Sequence, residues 1–255
     1  MTSNHVLVLG SLSGNVIERA ETARLMGLEP VIVQFDESPS QSSFQTFRYE
    51  KLPSRLKGVQ CILGQPPAYP DLAYERLDRK WQLSIARFAG ELEELGFTNW
   101  LTLIHPSASV SESAVLGKAC FVGPQVNISS ETKIGNFISV GRGSSIGHHV
   151  IIGDFCSFGP GAIVPGNVKF GKFTLVGPSA TFLNGVRISE GSLIGAGSVV
   201  TKHVRNGNQV MGNPARRLRR PLAVVKKLFR TNVIRALKKT GTYERVKAFY
   251  RRFRG

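Results

Sequence analysis

From Ile104 onward, every sixth residue is aliphatic or phenylalanine. The run passes through Val110, Leu116 and Val122, continues without insertion or gap to Ile188, Ile194 and Val200, and makes seventeen positions in all. If about a third of positions were apolar by chance, such a run would arise on the order of once in a hundred million. A period of six fits neither the 3.6-residue α-helix nor the two-residue alternation of a hairpin meander. It fits a short strand, a turn and a re-entry, with the apolar residue pointing inward on each side. Three sides close a coil, and stacked coils pair through parallel ladders about 4.8 Å apart. The residue four after each repeat position is small or β-branched, as at Ala108, Cys120 and Ala162, because a narrow interior leaves no room for two large neighbours. The residue directly after it is often glycine, as at Gly141, Gly147 and Gly153, and is expected to supply corners with positive φ. Residues 101–215 are therefore predicted to form a parallel β-helix.

The 100 residues before the repeat have a different period. His5–Gly10 is an apolar run ending in glycine, Asn15–Met26 has helical spacing closed by Gly27, Pro30–Phe35 and Val59–Leu63 are strand-like, and Leu77–Leu95 is helical. Alternating strands and helices imply a small parallel α/β sheet, giving an α/β + β chain with a Rossmann-like domain over 1–100. A strand, a glycine-containing turn, a helix and an acid (Asp36) at the next strand's end follow the logic of a nucleotide site. Gly10-Ser11-Leu12-Ser13-Gly14-Asn15 is not GxGxxG, however, and a tight strand–helix turn explains it equally well.

The net charge of +16 is concentrated at one end. Residues 216–255 carry 15 Lys or Arg against the single acid Glu244, leaving 18 basic and 16 acidic side chains for the rest. Val225, Leu228 and Phe229, then Ile234 and Leu237, then Val246, Phe249 and Phe253 are interleaved with these basic residues. The pattern predicts two basic amphipathic helices in a helical tail. An anionic membrane surface is the first partner this suggests and a neighbouring subunit the second. Nucleic acid comes last, since no base-reading motif accompanies the charge. With no secretory n-region and no apolar stretch of membrane-spanning length, the expected location is cytoplasmic, peripheral at the inner face of the membrane. Cys61, Cys120 and Cys156 match no zinc or disulfide spacing and read as small buried residues, so no metal is expected.

A small α/β domain, then Leu101-Thr102-Leu103-Ile104-His105-Pro106-Ser107-Ala108, then hexapeptides, resembles the hexapeptide-repeat sugar acyltransferases of the sialic-acid O-acetyltransferase and bacillosamine-pathway N-acetyltransferase family. The resemblance covers residues 5 to about 218. It implies a left-handed β-helix, a homotrimer, acetyl-CoA as acyl donor without a metal, and a nucleotide sugar or other sugar as acceptor in surface-glycan (polysaccharide) biosynthesis. Ser13, Gly14 and Asn15 align with the end of the family's Gly-x-Ser-Gly-His turn, with Asn15 in place of His; Asp36 and Gly64 match its other sugar-nucleotide positions. Acyl transfer to an amine or hydroxyl needs a base, and His148 aligns with the family's. Where bacillosamine-type members carry an acid beside that base, this chain has His149, so another carboxylate such as Asp154 would have to reach His148. Ser157, Pro178 and Ala196 align with coenzyme-contacting positions, Ser157 standing where the family commonly has His. Arg216 or Arg217 would meet coenzyme phosphates. Asn15, His149 and Ser157 are the departures that favour a rival reading, a catalytically inactive β-helix scaffold or binding protein held to membrane or partner by its tail. A metal-dependent hydratase would need three converging histidines.

Overall fold

A computed structural model describes residues 4–10, 14–35, 42–53, 56, 58–64, 79–205 and 207–218. Met1–Arg217 form one compact unit and Leu218–Gly255 a second. The amphipathic helices expected over 221–255 lie outside the described residues. Among the described residues, no helix is long and apolar enough to cross a membrane.

The first unit opens with β1 (His5–Leu9), α1 (Gly14–Leu25), β2 (Glu29–Gln34), β3 (Thr46–Arg48) and β4 (Cys61–Leu63), followed by α2 (Arg79–Glu94). The four strands form one parallel sheet in the order β3-β2-β1-β4. β1 is apolar without alternation because both its faces are covered. Val6 and Val8 pack with Val16, Ala20 and Ala23 of α1, while Leu7 and Leu9 pack with Phe88 and Leu92 of α2. β3 carries no periodic signal of its own; its Thr46-Phe47-Arg48 forms by pairing with Ile32–Gln34 of β2.

Residues from Leu103 to Arg217 build a left-handed, three-sided parallel β-helix. Its first face holds the strands from Leu103–Ile104 to Gln209–Met211, with Arg216–Arg217 added antiparallel at the end; the second runs from Ser109–Val110 to Val199–Val200, and the third from Val115–Leu116 to Arg187–Ile188. Residues eighteen apart stack: Ser139 lies against Ser157 and Val140 against Phe158. From Val122 to Val200 the hexapeptide residues are buried in a single core, and Phe158, Phe170 and Phe182 meet edge to face inside it.

Positive φ does not fall where the glycine pattern places it. From Leu116 to Ile194 it falls three residues after each inward position, at six-residue steps, and is carried mostly by ordinary side chains: Ala119, Gln125, Glu131, Phe137, His149, Phe155, Asn167, Phe173 and Ser179 have φ between 56 and 60°. From Gln125 onward each left-handed corner amide donates to the preceding coil, Gln125 and Glu131 to the hydroxyls of Ser107 and Ser113 and the later ones to carbonyls, as His149 N–H does to Ser130 at 3.0 Å and Phe155 N–H to Asn136 at 2.9 Å. These bonds offset a conformational cost of roughly 1–2 kcal/mol per non-glycine corner. The glycines directly after the inward residue answer a different need. A Cβ on Gly147 would stand 2.7 Å from the Gly166 nitrogen, and one on Gly177 2.5 Å from that of Ala196. The next coil's backbone passes too close for any side chain.

The α/β part packs on the first face. Its outward Leu103 and Phe121 are buried in the cluster that contains Val6 and Val8, and the Arg19 guanidinium lies 4.6 Å from the centre of the Phe121 ring, with Nη2 3.5 Å from Ser139 Oγ. Trp100 meets Phe137 edge to face, and Phe137, Phe155 and Phe173 stack in parallel up the corner between the third and first faces. Ser145 and Ile163 on the second face and Val115 and Ile151 on the third stay exposed.

Candidate active site

His148 and His149 form the corner between the second and third faces, between the strands Ser145–Ile146 and Ile151–Ile152. Ile146 points inward and the corner turns at His149 (φ 56°), so both imidazoles project from the prism and are exposed. Their Nδ1 atoms are 3.1 Å apart, with the rings nearly perpendicular. In such a pair one Nδ1 carries the proton and the other accepts it. If His148 Nδ1 donates, its Nε2 is left bare as a base. The far edge of the His148 ring lies over Gly166, stacked one coil later: a Cβ there would fall 2.5 Å from both His148 Cε1 and Nε2. Gly166 is buried beneath the ring.

Asp154 does not reach this pair. It stands six residues on from His148 and therefore on the next corner, between the third and first faces. There one oxygen accepts from Asn136 N at 2.9 Å and the other pairs with Lys172 Nζ at 2.8 Å. Partial burial works to raise its pKa, but the Asn136 amide and the Lys172 ammonium outweigh it and hold the carboxyl below its ordinary range. Asp154 staples coils together. By register two carboxylates share the histidine corner, Glu131 one coil before His149 and Glu112 two coils before His148, and Glu131 is likewise exposed.

The expected donor residues gather elsewhere. Pro178 and Ala196 stack in successive coils on the corner between the first and second faces, where Gly197 N–H donates to the Pro178 carbonyl at 2.8 Å, and both are exposed. Ser157 lies half-buried on the first face. Arg216, exposed in the last strand, pairs with Met211. The histidine corner and the corner that carries Pro178 and Ala196 are thus the two edges of the second face.

In the α/β part, α1 starts at Gly14 just past the end of β1, and Gly64 N–H donates to the Leu9 carbonyl at 2.7 Å. Gly14 and Gly64 therefore share the carboxyl end of the sheet between β1 and β4, where open parallel sheets bind ligands. A Cβ on Gly64 would lie 2.5 Å from Leu9 O, so its glycine is required by packing as well. Ser13 and Asp36 lie outside the described residues, as does the side chain of Asn15. His105 and His203 cap backbone at the two ends of the prism: His105 Nδ1 accepts from Ser107 N at 3.1 Å and His203 Nδ1 from Arg187 N at 3.0 Å. All three thiols are buried; burial pushes Cys61 and Cys156 up to about 12 and Cys120 to about 11, and Cys156 donates to the Gly171 carbonyl. Among the described residues, no three His, Cys, Asp or Glu converge as a metal site would require.

No family model and no curated protein sequence matches the chain. Solved structures do. PerB from Caulobacter crescentus, in complex with CoA and GDP-perosamine, superposes with a TM-score of 0.70 at 25% identity, over 84% of this chain and 97% of that one. The acetyltransferase domain of PglB from Neisseria gonorrhoeae, in complex with acetyl coenzyme A, gives 0.71 at 22% over 84% and 99%, and WeeI from Acinetobacter baumannii gives 0.71 at 22% over 84% and 100%. This chain has the fold of the sugar N-acetyltransferases. Within that fold Gly166 is the residue beneath His148 that the hexapeptide pattern does not single out. Its signal lies at a longer step, eighteen residues beyond His148, the length of the three-sided coil.

Proposed function

We propose that the chain is an acetyl-CoA-dependent acyltransferase acting on an amine or hydroxyl of a nucleotide sugar in glycan biosynthesis. The observation that carries this reading is His148, an exposed imidazole between a neighbouring ring and a glycine floor, in a chain that shares its fold with PerB, whose structure holds CoA and GDP-perosamine. His148 Nε2 takes the proton from the acceptor nitrogen or oxygen as that atom attacks the thioester carbonyl. The carbon–sulfur bond then breaks, and the departing thiolate receives the proton from His148. Ser157, Pro178, Ala196 and Arg216 hold the coenzyme, and Ser13, Gly14, Asn15, Asp36 and Gly64 hold the nucleotide.

Because base corner and donor corner are opposite edges of one face, the working unit is a cyclic trimer with the second face turned toward its axis, so that each histidine corner meets a neighbour's donor corner. The basic segment 221–255 would hold this assembly at the inner, anionic face of a membrane. Thermal unfolding with and without acetyl-CoA, repeated with a panel of nucleotide sugars, tests the reading: each true ligand raises the midpoint. His148→Ala should keep the wild-type midpoint and lose roughly 10²–10⁴ in turnover. No stabilisation by any of these ligands would turn the assignment toward a binding scaffold.

A further inference from the structure

Ordinarily a solvent-exposed histidine on a turn samples several rotamers and both neutral tautomers. Two features of this corner restrict His148 in both respects. Gly166, one coil along, is buried under the imidazole, and the place its Cβ would take is 2.5 Å from His148 Nε2 and Cε1. φ of Gly166 lies outside the left-handed region, so the backbone there suits any residue and glycine is required only by the ring. At the opposite edge, His149 Nδ1 sits 3.1 Å from His148 Nδ1. His149 is itself held in the left-handed region, with its amide bonded to Ser130, which aims its ring at its neighbour.

Resting on the acyltransferase reading above, we propose that Gly166 and His149 are positioning residues for His148. Gly166 fixes the ring's orientation by leaving its Nε2 edge a place to lie, and His149 fixes its tautomer by accepting the Nδ1 proton. The base therefore presents an unprotonated Nε2 without a carboxylate behind it. The neutral acceptor on His149 does the orienting that an acid would do, and the partner ring carries its own proton on Nε2.

Gly166→Ala tests the first half. Its Cβ meets only the far end of a swinging side chain, so the fold survives while the ring is displaced. Turnover is expected to fall at least tenfold with KM for acetyl-CoA little changed, and the unfolding midpoint to stay near that of wild type. Gly90→Ala, on a helix surface with open space around it, controls for the added methyl. His149→Ala should lower turnover similarly, and His149→Asn, which tolerates positive φ and keeps an acceptor, should restore part of it.

A second measurement needs no activity. Nitrogen-15 spectra of the five histidines distinguish the two neutral tautomers. In wild type, His148 should be protonated on Nδ1 alone; His149→Ala should give a tautomer mixture, and Gly166→Ala a shifted, broadened resonance. A mixed tautomer in wild type, or His148 signals unchanged in both variants, would overturn the proposal whatever the enzyme assays show. Expected spectra with no acetyl transfer by wild type would sink the acyltransferase reading and leave the clamp standing.

Discussion

Asp154 and Asn136 perform the same task in successive coils. Asn136 Oδ1 accepts from Lys118 N at 3.0 Å, and Asp154 Oδ1 accepts from Asn136 N at 2.9 Å; only Asp154 adds a charge, toward Lys172. Asp154→Asn should keep the staple and lose the ion pair, a small change at a partly exposed site. Asp154→Ala loses both, and the unfolding midpoint should drop by about 2–4 °C. The pH dependence has a definite sign. A carboxyl whose folded pKa is depressed contributes stability above its unfolded value and loses it as pH falls through the folded one. The gap between wild type and Asp154→Asn in thermal melts should therefore be full at neutral pH and close as pH drops below the ordinary aspartate range of about 4. A gap that persists in acid would mean that the charge is not its source. The same residue shows why sequence proximity misleads in this fold. Six residues carry the chain to the next corner, so Asp154, which looks close to His148, faces another side. Eighteen residues return it to the same corner, so Gly166, which looks distant, lies under the ring. His148 was singled out by residue type and alignment, whereas its neighbours appear only when residues eighteen apart, three sides of six, are read against one another.

At the level of the coil, the two glycine classes make opposite demands and can be separated within one corner. Gly143 has φ of 66° and open space where a Cβ would go, while Gly141 would place its Cβ 2.7 Å from the backbone nitrogen of Pro160. Gly143→Ala should cost only the left-handed penalty, roughly 1–2 kcal/mol. Gly141→Ala must push two coils apart, and overpacking against backbone costs about 1–3 kcal/mol with a disturbed ladder around it. Chemical denaturation of both variants should rank Gly141→Ala as the worse, and hydrogen exchange should show faster amides at Ser144 and Gly161 in that variant alone. The reverse order would mean that backbone conformation, not coil spacing, selects glycine after the inward residue. The inward ladder itself was plain in the sequence because burial acts on every sixth residue in the same way. The reason for the glycines was not, since a close backbone approach and a positive φ leave the same mark in one sequence. β3 was invisible for a related reason: three residues that become a strand only by pairing with Ile32–Gln34 carry no period to read.

The whole-molecule question is where a complete site comes from. The second face has His148 at one edge and Pro178 and Ala196 at the other, and the first face is occupied by the chain's own α/β part. On the proposed trimeric reading, a transfer that uses both edges takes them from two copies. Subunits carrying His148→Ala lack the base but keep a sound donor corner; subunits carrying Ala196→Glu keep the base but set a negative charge and added bulk where the coenzyme would lie. Each homogeneous variant should be inactive. Coexpressed in equal amounts and assembled at random into cyclic trimers, they should place an intact histidine corner against an intact donor corner at about one quarter of the sites, and recover about a quarter of wild-type turnover. A site built within one chain would stay inactive at every mixing ratio, because every chain then carries one lesion. The dependence on ratio adds a second check: recovered turnover should peak at equal proportions and fall to nothing at either end, which contamination by wild-type protein would not reproduce.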